Sequence, residues 1–314
     1  MSHKSFDSKQ IDSLTQAILA SYQDDMGTNF IDVKNLPVRD KILFVLNSLM
    51  ELLFPGYTGK RPVSSENIRS IVQEILVMVR RELADQIELA LRFNCKLKEC
   101  PACDCRILAG ECCEKLLNQI PDIRQMLKED VQAAFDGDPA AKAPEEIVLS
   151  YPHLCAIAIH RVAHELYRMD IPLIPRMMAE YAHSQTGIDI HPGAQVGRRF
   201  FIDHGTGVVI GETAVIGNNV KIYQGVTLGA VSFPKDEHGN IIRGKKRHPT
   251  LEDDVTVYAE ATILGDIVIG KGAVIGGNVW IRESVPPGAV VTIAKPESLY
   301  VTRGRRKTAE KNSE

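Results

Sequence analysis

The apolar positions of this chain follow two different periods, and the first of them is helical. In the N-terminal part, apolar residues recur three, four and seven positions apart, the spacing of the buried stripe of an amphipathic helix. This pattern predicts helices over 11–22, 42–54, 68–91, 112–135, 145–169 and 175–183, with an Asp-Gly-Asp-Pro break at 136–139. Residues 1–186 are therefore predicted to form an all-α domain.

From residue 190 onward the period changes to six. Aliphatic residues occupy thirteen positions in this register, namely Ile190, Val196, Ile202, Ile210, Ile216, Ile222, Leu228, Leu251, Val257, Ile263, Ile269, Ile275 and Ile281. Helices and ordinary sheets have no period of six, whereas hexapeptide repeats form a three-sided parallel β-helix with coils of about 18 residues. We therefore predict an α+β chain: the helical domain, a left-handed parallel β-helix over 187–293, and a tail over 294–314.

The six-residue step fails at two places, and each contains a histidine beside a charged residue. Between Ile202 and Ile210 the step is eight, and the extra residues lie in the Asp-His-Gly-Thr-Gly segment 203–207. After Leu228 a long polar loop leaves the repeat and returns at Arg-His-Pro 247–249. Functional groups concentrate where a regular pattern is broken, so these two segments are candidate parts of an active site.

Charge and hydropathy narrow the classes of partner. Lys and Arg total 37 against 40 Asp and Glu, a formal net charge of −3, which does not favour nucleic acid or an anionic membrane surface as partners. The N-terminal residues lack the apolar centre of a signal peptide, and no stretch approaches the roughly 20 apolar residues of a membrane span. We expect a cytoplasmic protein.

Five motifs together carry a resemblance to a known family. They are Asp189-Ile190-His191-Pro192, Asp203-His204-Gly205-Thr206-Gly207, Gly211-Glu212-Thr213-Ala214, Gly225-Val226-Thr227-Leu228-Gly229 and Arg247-His248-Pro249. Their order and spacing resemble those of bacterial and plant serine O-acetyltransferases, over about 138–287. The resemblance implies transfer of an acetyl group from acetyl-CoA to the hydroxyl of L-serine, which gives O-acetyl-L-serine for cysteine biosynthesis.

The resemblance also assigns the catalytic residues. The hydroxyl of serine is a poor nucleophile until a base takes its proton, and an imidazole, which titrates near neutrality, is a suitable base. By the family match that base is His204, and Asp189 orients its ring and stabilises the imidazolium. No metal is required for this catalysis.

Substrate binding follows from the same match. The ammonium group of serine is assigned to Asp138 and Asp203, and its carboxylate to Arg247, while His248 completes the pocket. The small residues that would lie against the pantetheine arm of CoA are Gly229, Ala259 and Gly277.

The resemblance further implies an assembly and a regulator. The family's site lies between neighbouring subunits of a trimer, so a homotrimer is expected, and L-cysteine is expected as a feedback inhibitor. Relatives that bind O-acetylserine sulfhydrylase through their tail end in isoleucine, whereas this sequence ends in Ser313-Glu314, so that complex is not expected.

Six of the seven cysteines lie in one segment that the family pattern does not contain. They are Cys95, Cys100, Cys103, Cys105, Cys112 and Cys113. Cys100 and Cys103 have the spacing of a zinc knuckle, which Cys112 or Cys113 could close. A bound metal, reactive or redox-linked thiols, and simple packing all remain open.

Two alternative activities also remain open. One is an acetyltransferase of the same fold that acts on another hydroxyl acceptor. The other is a zinc lyase like the hexapeptide-repeat carbonic anhydrases, although His191, His204 and His248 do not match the spacing of that family. His160 and His164 lie four residues apart on a predicted helix, but without a third ligand we expect a packing role for them.

Overall fold

A computed structural model describes residues 7–23, 27–31, 36–59, 61–98, 104–232, 236–242 and 244–294. The described part begins with helices, and all of them precede the first strand. They are α1 (Ser8–Ser21), α2 (Arg39–Leu53), α3 (Ile68–Lys98), α4 (Cys105–Gly137), α5 (Pro144–Ser150), α6 (Pro152–Arg168) and α7 (Ile174–Thr186). None of the helices within those ranges is long and apolar enough to cross a membrane.

Two helix predictions need correction. The single helix predicted over 145–169 is wrong, because α5 ends at Ser150 and α6 begins at Pro152. Proline has no N–H to donate and disfavours helical backbone in the residue before it, so Tyr151 is extended, with φ −88° and ψ 117°. The helix predicted from residue 112 begins earlier, at Cys105, where Asp104 caps it by accepting a hydrogen bond from the N–H of Ile107.

The cysteine segment divides into two groups in the described structure. Cys112 and Cys113 are buried in the core between α3 and α4, and burial raises the pKa of the Cys113 thiol to about 11. Both side chains thus pack in the core of the described structure. Cys95 and Cys105 lie at the end of α3 and the start of α4, with their sulfur atoms 3.6 Å apart. The predicted zinc knuckle falls on residues 100 and 103, which lie outside the described residues.

The rest of the described chain is a parallel β-helix with three faces. Face one contains β1 (Asp189–Ile190), β4 (Val209–Ile210), β7 (Thr227–Gly229), β10 (Thr262–Leu264) and β13 (Trp280–Ile281). Face two contains β2 (Gln195–Val196), β5 (Val215–Ile216), β8 (Thr250–Leu251) and β11 (Val268–Ile269). Face three contains β3 (Phe201–Asp203), β6 (Lys221–Tyr223), β9 (Thr256–Val257), β12 (Val274–Ile275) and β14 (Val290–Val291).

The predicted six-residue register is confirmed at every position. All thirteen aliphatic residues lie in β1 to β13, and each faces its counterpart one coil later, as in the pairs Ile190–Ile210 and Ile210–Leu228. The side chains that point inward thus form continuous rows along the prism. The low aromatic content agrees with this interior, although Phe200 is fully buried at the first coil.

Two of the three edges of the prism contain the breaks in the six-residue repeat. We call the bends from face three to face one, at residues 204–208, 224–226, 258–261 and 276–279, the His204 corner. The bends from face one to face two, at residues 191–194, 211–214 and 265–267 and in the described part of 230–249, form the Arg247 corner. The two breaks in the repeat therefore lie on different edges of the prism.

A buried ion pair fixes the helical domain to the first coil. Arg161 of α6 donates to both carboxylate oxygens of Asp130 of α4, at 2.8 and 2.9 Å, and both side chains are almost completely buried. Arg161 also donates to the carbonyls of Val196 and Gly197, and Asp130 accepts from the N–H of Phe200. These contacts set the position of α4, and hence of Asp138, which directly follows that helix, against the β-helix.

Candidate active site

His204 projects from the corner because the backbone there is two residues longer than in the other coils. Its backbone has φ 60°, in the left-handed region that side-chain-bearing residues rarely adopt, and the glycines at 205 and 207 also have positive φ. The His204 side chain is 72% exposed. An exposed imidazole on a bend of this kind is available to a ligand bound outside the prism.

Asp203 lies beside this imidazole. One Asp203 carboxylate oxygen is 3.7 Å from Nδ1 of His204, and the other is 3.2 Å from Nζ of Lys221. Asp189, predicted to orient the His204 ring, begins β1 next to the strand that leaves the same corner. Among the described residues Asp189 forms no hydrogen bond with His204, so in this structure the carboxylate facing Nδ1 belongs to Asp203.

Asp138 reaches the same corner from the helical domain. It is the residue after α4, and its carboxylate accepts from the Tyr151 hydroxyl at 2.6 Å and from the N–H of Ala140 at 2.8 Å. The hydrogen bond from Tyr151 is the main reason that the pKa of Asp138 lies below its ordinary value, and it raises the pKa of Tyr151 to about 12. Asp138 is therefore a carboxylate at neutral pH.

The residues predicted to contact CoA lie on both edges of face one. Ala259 and Gly277 occupy the same corner position as His204 on later coils, each two residues after a registered aliphatic residue. A Cβ on Gly277 would lie 3.0 Å from the Ala259 carbonyl, so bulk is excluded there. Gly229 ends β7 at the opposite edge of the face. Ala259 and Gly277 thus lie on the same edge of the prism as His204, two and three coils beyond it.

Arg247 lies at the other corner in an acidic and aromatic setting. Its guanidinium forms an ion pair with Glu212, which also accepts from the Tyr167 hydroxyl of α6 at 2.8 Å. Burial opposes ionisation of Glu212, but the hydrogen bonds from Arg247 and Tyr167 outweigh it and lower its pKa. The guanidinium is thereby held at the surface of the loop that re-enters the prism.

His248 is fixed in one protonation state by Thr213. The N–H of Thr213 donates to Nδ1 of His248 at 3.1 Å, so Nδ1 carries no proton, and the Thr213 hydroxyl lies 2.8 Å from the same atom. Burial, with help from Arg247, lowers the pKa of His248 to about 4. The ring is therefore neutral with its proton on Nε2, which makes Nε2 a donor. A Cβ on Gly211 would overlap this ring, so glycine is required there.

Comparison with known proteins identifies the family. Residues 248–283 match the family model described as bacterial transferase hexapeptide (six repeats). A serine acetyltransferase of Synechococcus elongatus, plasmid-encoded, is 43% identical over 293 residues, which cover 92% of this chain and 92% of that protein. The chain belongs to the serine acetyltransferase family. A serine acetyltransferase of Bacillus licheniformis is 47% identical over 58% of this chain and 80% of its own length.

Solved serine acetyltransferase structures share the whole architecture. Isoform 3 from Entamoeba histolytica, in complex with cysteine, superposes with a TM-score of 0.70 and 35% identity, covering 95% of this chain and 96% of that one. The enzyme from Brucella abortus, in complex with coenzyme A, gives a TM-score of 0.53 and 26% identity over 80% of this chain and 92% of that one. The Entamoeba histolytica structure thus matches this chain over both the helical domain and the β-helix.

Sequence reasoning missed several groups that support the family's predicted site residues. Glu212 and Thr213 belong to the Gly-Glu-Thr-Ala motif at 211–214, so the sequence indicated that they lie near the site. Their contacts with Arg247 and His248 are seen only in the structure. Tyr151 and Lys221 had no such signal. The Tyr151 contact with Asp138 forms within the helical domain, whereas Lys221 reaches the carbonyl of Gly137 because the helical domain and the β-helix pack together.

The histidine pair of α6 packs under the first coils. His160 is completely buried, and burial lowers its pKa well below the ordinary value. Nδ1 of His164 lies 2.8 Å from the carbonyl of Pro192. Within the described ranges no group of three metal-binding side chains is found. The expected packing role agrees with these contacts.

Proposed function

We propose that this chain acetylates the hydroxyl of L-serine with acetyl-CoA, using His204 as the general base. The observation that carries the proposal is the His204 corner itself. An exposed imidazole stands beside Asp203, Asp138 approaches it from α4, and the line of small residues at Ala259 and Gly277 continues along the same edge. Membership of the serine acetyltransferase family favours this activity over another hydroxyl acceptor and over a zinc lyase.

The reaction needs one base that later acts as an acid. With Nδ1 of His204 directed at Asp203, Nε2 faces outward and takes the proton of the serine hydroxyl as its oxygen attacks the thioester carbonyl. Asp203 stabilises the imidazolium that forms, a role that the family match gave to Asp189. The same imidazolium returns the proton to the sulfur of CoA as the carbon–sulfur bond breaks.

The two charged groups of serine are bound at two different corners of the prism, by acidic side chains at one corner and by hydrogen-bond donors at the other. Asp138 and Asp203 supply carboxylates for its ammonium group, whereas Arg247 and the Nε2–H of His248 supply donors for its carboxylate. The two sets lie on different edges of the prism and cannot surround one small molecule within a single chain. A complete site therefore requires the His204 corner of one copy and the Arg247 corner of the next.

When one corner of a chain contacts a different corner of the next copy, the interface is head-to-tail. Repetition of such an interface around a rotation axis closes a ring of copies. The family resemblance implies that the ring has three members, so we propose a homotrimer with three sites. Acetyl-CoA would lie between adjacent copies, with its pantetheine arm against Ala259 and Gly277. Gly229 would contribute from the opposite edge of face one.

L-cysteine would occupy the serine position as an inhibitor. It has the same ammonium and carboxylate groups, and a thiol replaces the hydroxyl. An Entamoeba histolytica serine acetyltransferase of the same architecture was solved with cysteine bound. Competition between L-cysteine and L-serine in steady-state assays tests this regulation directly.

The activity is tested by following CoA release from acetyl-CoA in the presence of L-serine. We expect His204→Ala to lower kcat by about 10²- to 10⁴-fold, the usual contribution of a positioned base. We expect Arg247→Ala to raise the KM for serine more than that for acetyl-CoA. Absence of turnover by the unmodified protein with millimolar L-serine would overturn the proposed function.

A mixing experiment tests the shared site. Chains carrying His204→Ala and chains carrying Arg247→Ala are unfolded together and refolded as mixed oligomers. If a site uses one corner from each copy, some interfaces regain both residues and activity rises above that of either variant alone. Chains carrying both substitutions, mixed with His204→Ala chains, are the control and should stay inactive.

A further inference from the structure

We propose that Lys221 is a positioning residue that holds the two carboxylates for the serine ammonium group, Asp138 and Asp203, at a fixed separation. This inference rests on the proposed function. Lys221 is not one of the family's predicted site residues, and it lies on β6, one coil beyond Phe201. Its role follows from the groups that its ammonium contacts.

The Lys221 ammonium joins the helical domain to the His204 corner. Nζ donates to the carbonyl of Gly137, the last residue of α4, at 2.7 Å. The same atom lies 3.2 Å from the Asp203 carboxylate. Asp138 follows Gly137 directly, and His204 follows Asp203 directly. One cation therefore contacts both segments that present the acidic groups.

The surroundings hold Lys221 in this place and in its charged form. The side chain is only 21% exposed, and Nζ lies 4.9 Å from the centre of the Phe201 ring and 4.6 Å from that of Tyr223. Burial disfavours the charge, but the hydrogen bonds with Tyr223 and Asp203 outweigh it and raise the pKa of Lys221. The carboxyl end of a long helix also attracts a cation.

The positive charge of Lys221 reduces the repulsion between the two carboxylates that would bind the substrate ammonium. Two carboxylates in one pocket repel each other, and an uncompensated pair either separates or takes up a proton. With Lys221 present, the charges of Asp138, Asp203 and Lys221 sum to −1, which matches one substrate ammonium. One oxygen of Asp203 faces Lys221 and the other faces His204, while each oxygen of Asp138 accepts one hydrogen bond, so a substrate ammonium would use the second lone pairs of these oxygens.

The decisive experiment compares Lys221→Met and Lys221→Arg in steady-state kinetics. Methionine keeps most of the length and loses the charge, whereas arginine keeps the charge and can still bridge a carbonyl and a carboxylate. We expect Lys221→Met to raise the KM for L-serine about ten-fold, with the KM for acetyl-CoA changed less than about two-fold, because loss of position at one group is costly. We expect Lys221→Arg to recover most of that loss.

Lys271→Met is the matched control. Lys271 also pairs with an aspartate of the β-helix, Asp254, at 3.5 Å, but it is 63% exposed and lies away from the helical domain. This variant should keep both KM values. Thermal unfolding of all three variants separates loss of folded protein from loss of serine binding.

Two outcomes would overturn the inference. One is an unchanged KM for serine in folded Lys221→Met. The other is an equal rise in both KM values that arginine does not reverse. If Lys221→Met does not fold, Lys221→Gln and the binding of L-serine by calorimetry replace it, with the same criteria. Failure of the proposed function itself is distinguishable, because then the unmodified protein gives no turnover with L-serine.

Discussion

The ion pair between Asp130 and Arg161 offers the sharpest test of how the two parts of the chain are joined. Replacing Asp130 with alanine removes both hydrogen bonds to the guanidinium and the acceptor for the N–H of Phe200. Arg161, whose side chain is 3% exposed, then keeps a positive charge without a counter-ion. Asp130→Ala thus removes the contact that joins α4, α6 and the first coil of the β-helix, and leaves the rest of the interface unaltered.

The expected cost is large for a single side chain. Removing one partner of a buried ion pair costs about 3–5 kcal/mol, a substantial part of the roughly 5–15 kcal/mol that stabilises a folded domain. We therefore expect Asp130→Ala to lower the free energy of unfolding by about 4 kcal/mol. Guanidinium chloride denaturation at fixed protein concentration, followed by far-UV circular dichroism, measures this change.

Glu129→Ala is the control for this measurement. Glu129 lies on the same helix and pairs with Arg198 of the first coil at 2.8 Å, but Arg198 is 50% exposed. Exposed pairs contribute between about 0 and 1 kcal/mol, so this variant should be nearly as stable as the unmodified protein. If Asp130→Ala costs no more than Glu129→Ala, the buried pair does not anchor the helical domain as argued.

Three further predictions concern the site, the pH response and the thiols. Gly211→Ala should displace the His248 ring, lower kcat/KM for serine about ten-fold or more, and cost about 1–3 kcal/mol of stability through overpacking; normal kinetics would show that the ring can move aside. Burial lowers the pKa of His153 to about 3, so the folded protein binds fewer protons than the unfolded chain, and stability should fall as pH drops below about 6.5. Between pH 6.5 and 4.5 this histidine should cost about 2–3 kcal/mol, and denaturation of His153→Gln at both pH values should show a weaker dependence. Hydrogen peroxide should join Cys95 and Cys105, whose sulfurs are 3.6 Å apart, in a disulfide found by peptide mapping; its absence would show that the pair does not close.

The β-helix could be predicted almost completely, because its sequence repeats the geometry of its coils. Each coil repeats three inward positions, so an aliphatic residue every six positions identifies both the fold and the register. The helical domain was predictable only in outline. The period located the helices, but their ends depended on local features, namely the Asp104 cap and the proline at 152.

The site was predictable where its groups lie close in sequence and not where they meet through packing. Asp203 and His204 are adjacent, and the break in the repeat identified them together. Tyr151 and Lys221 reach Asp138 and the carbonyl before it from different elements, and no spacing rule relates those positions. The Tyr151 contact depends on packing within the helical domain, and the Lys221 contact depends on how α4 packs against the first coils.

The position of the two breaks has a structural reason. At the later coils of the His204 corner the backbone of one coil lies close to the next, as the 3.0 Å approach of a Gly277 Cβ to the Ala259 carbonyl shows, so bulk is excluded at those two positions. Extra residues at a corner turn the chain outward, so an imidazole or guanidinium can project without disturbing the inward rows. Because the two insertions occur on different corners, the proposed function gives each chain two incomplete half-sites. The same departures from the repeat that expose the chemistry thus make the proposed activity dependent on a second copy of the chain.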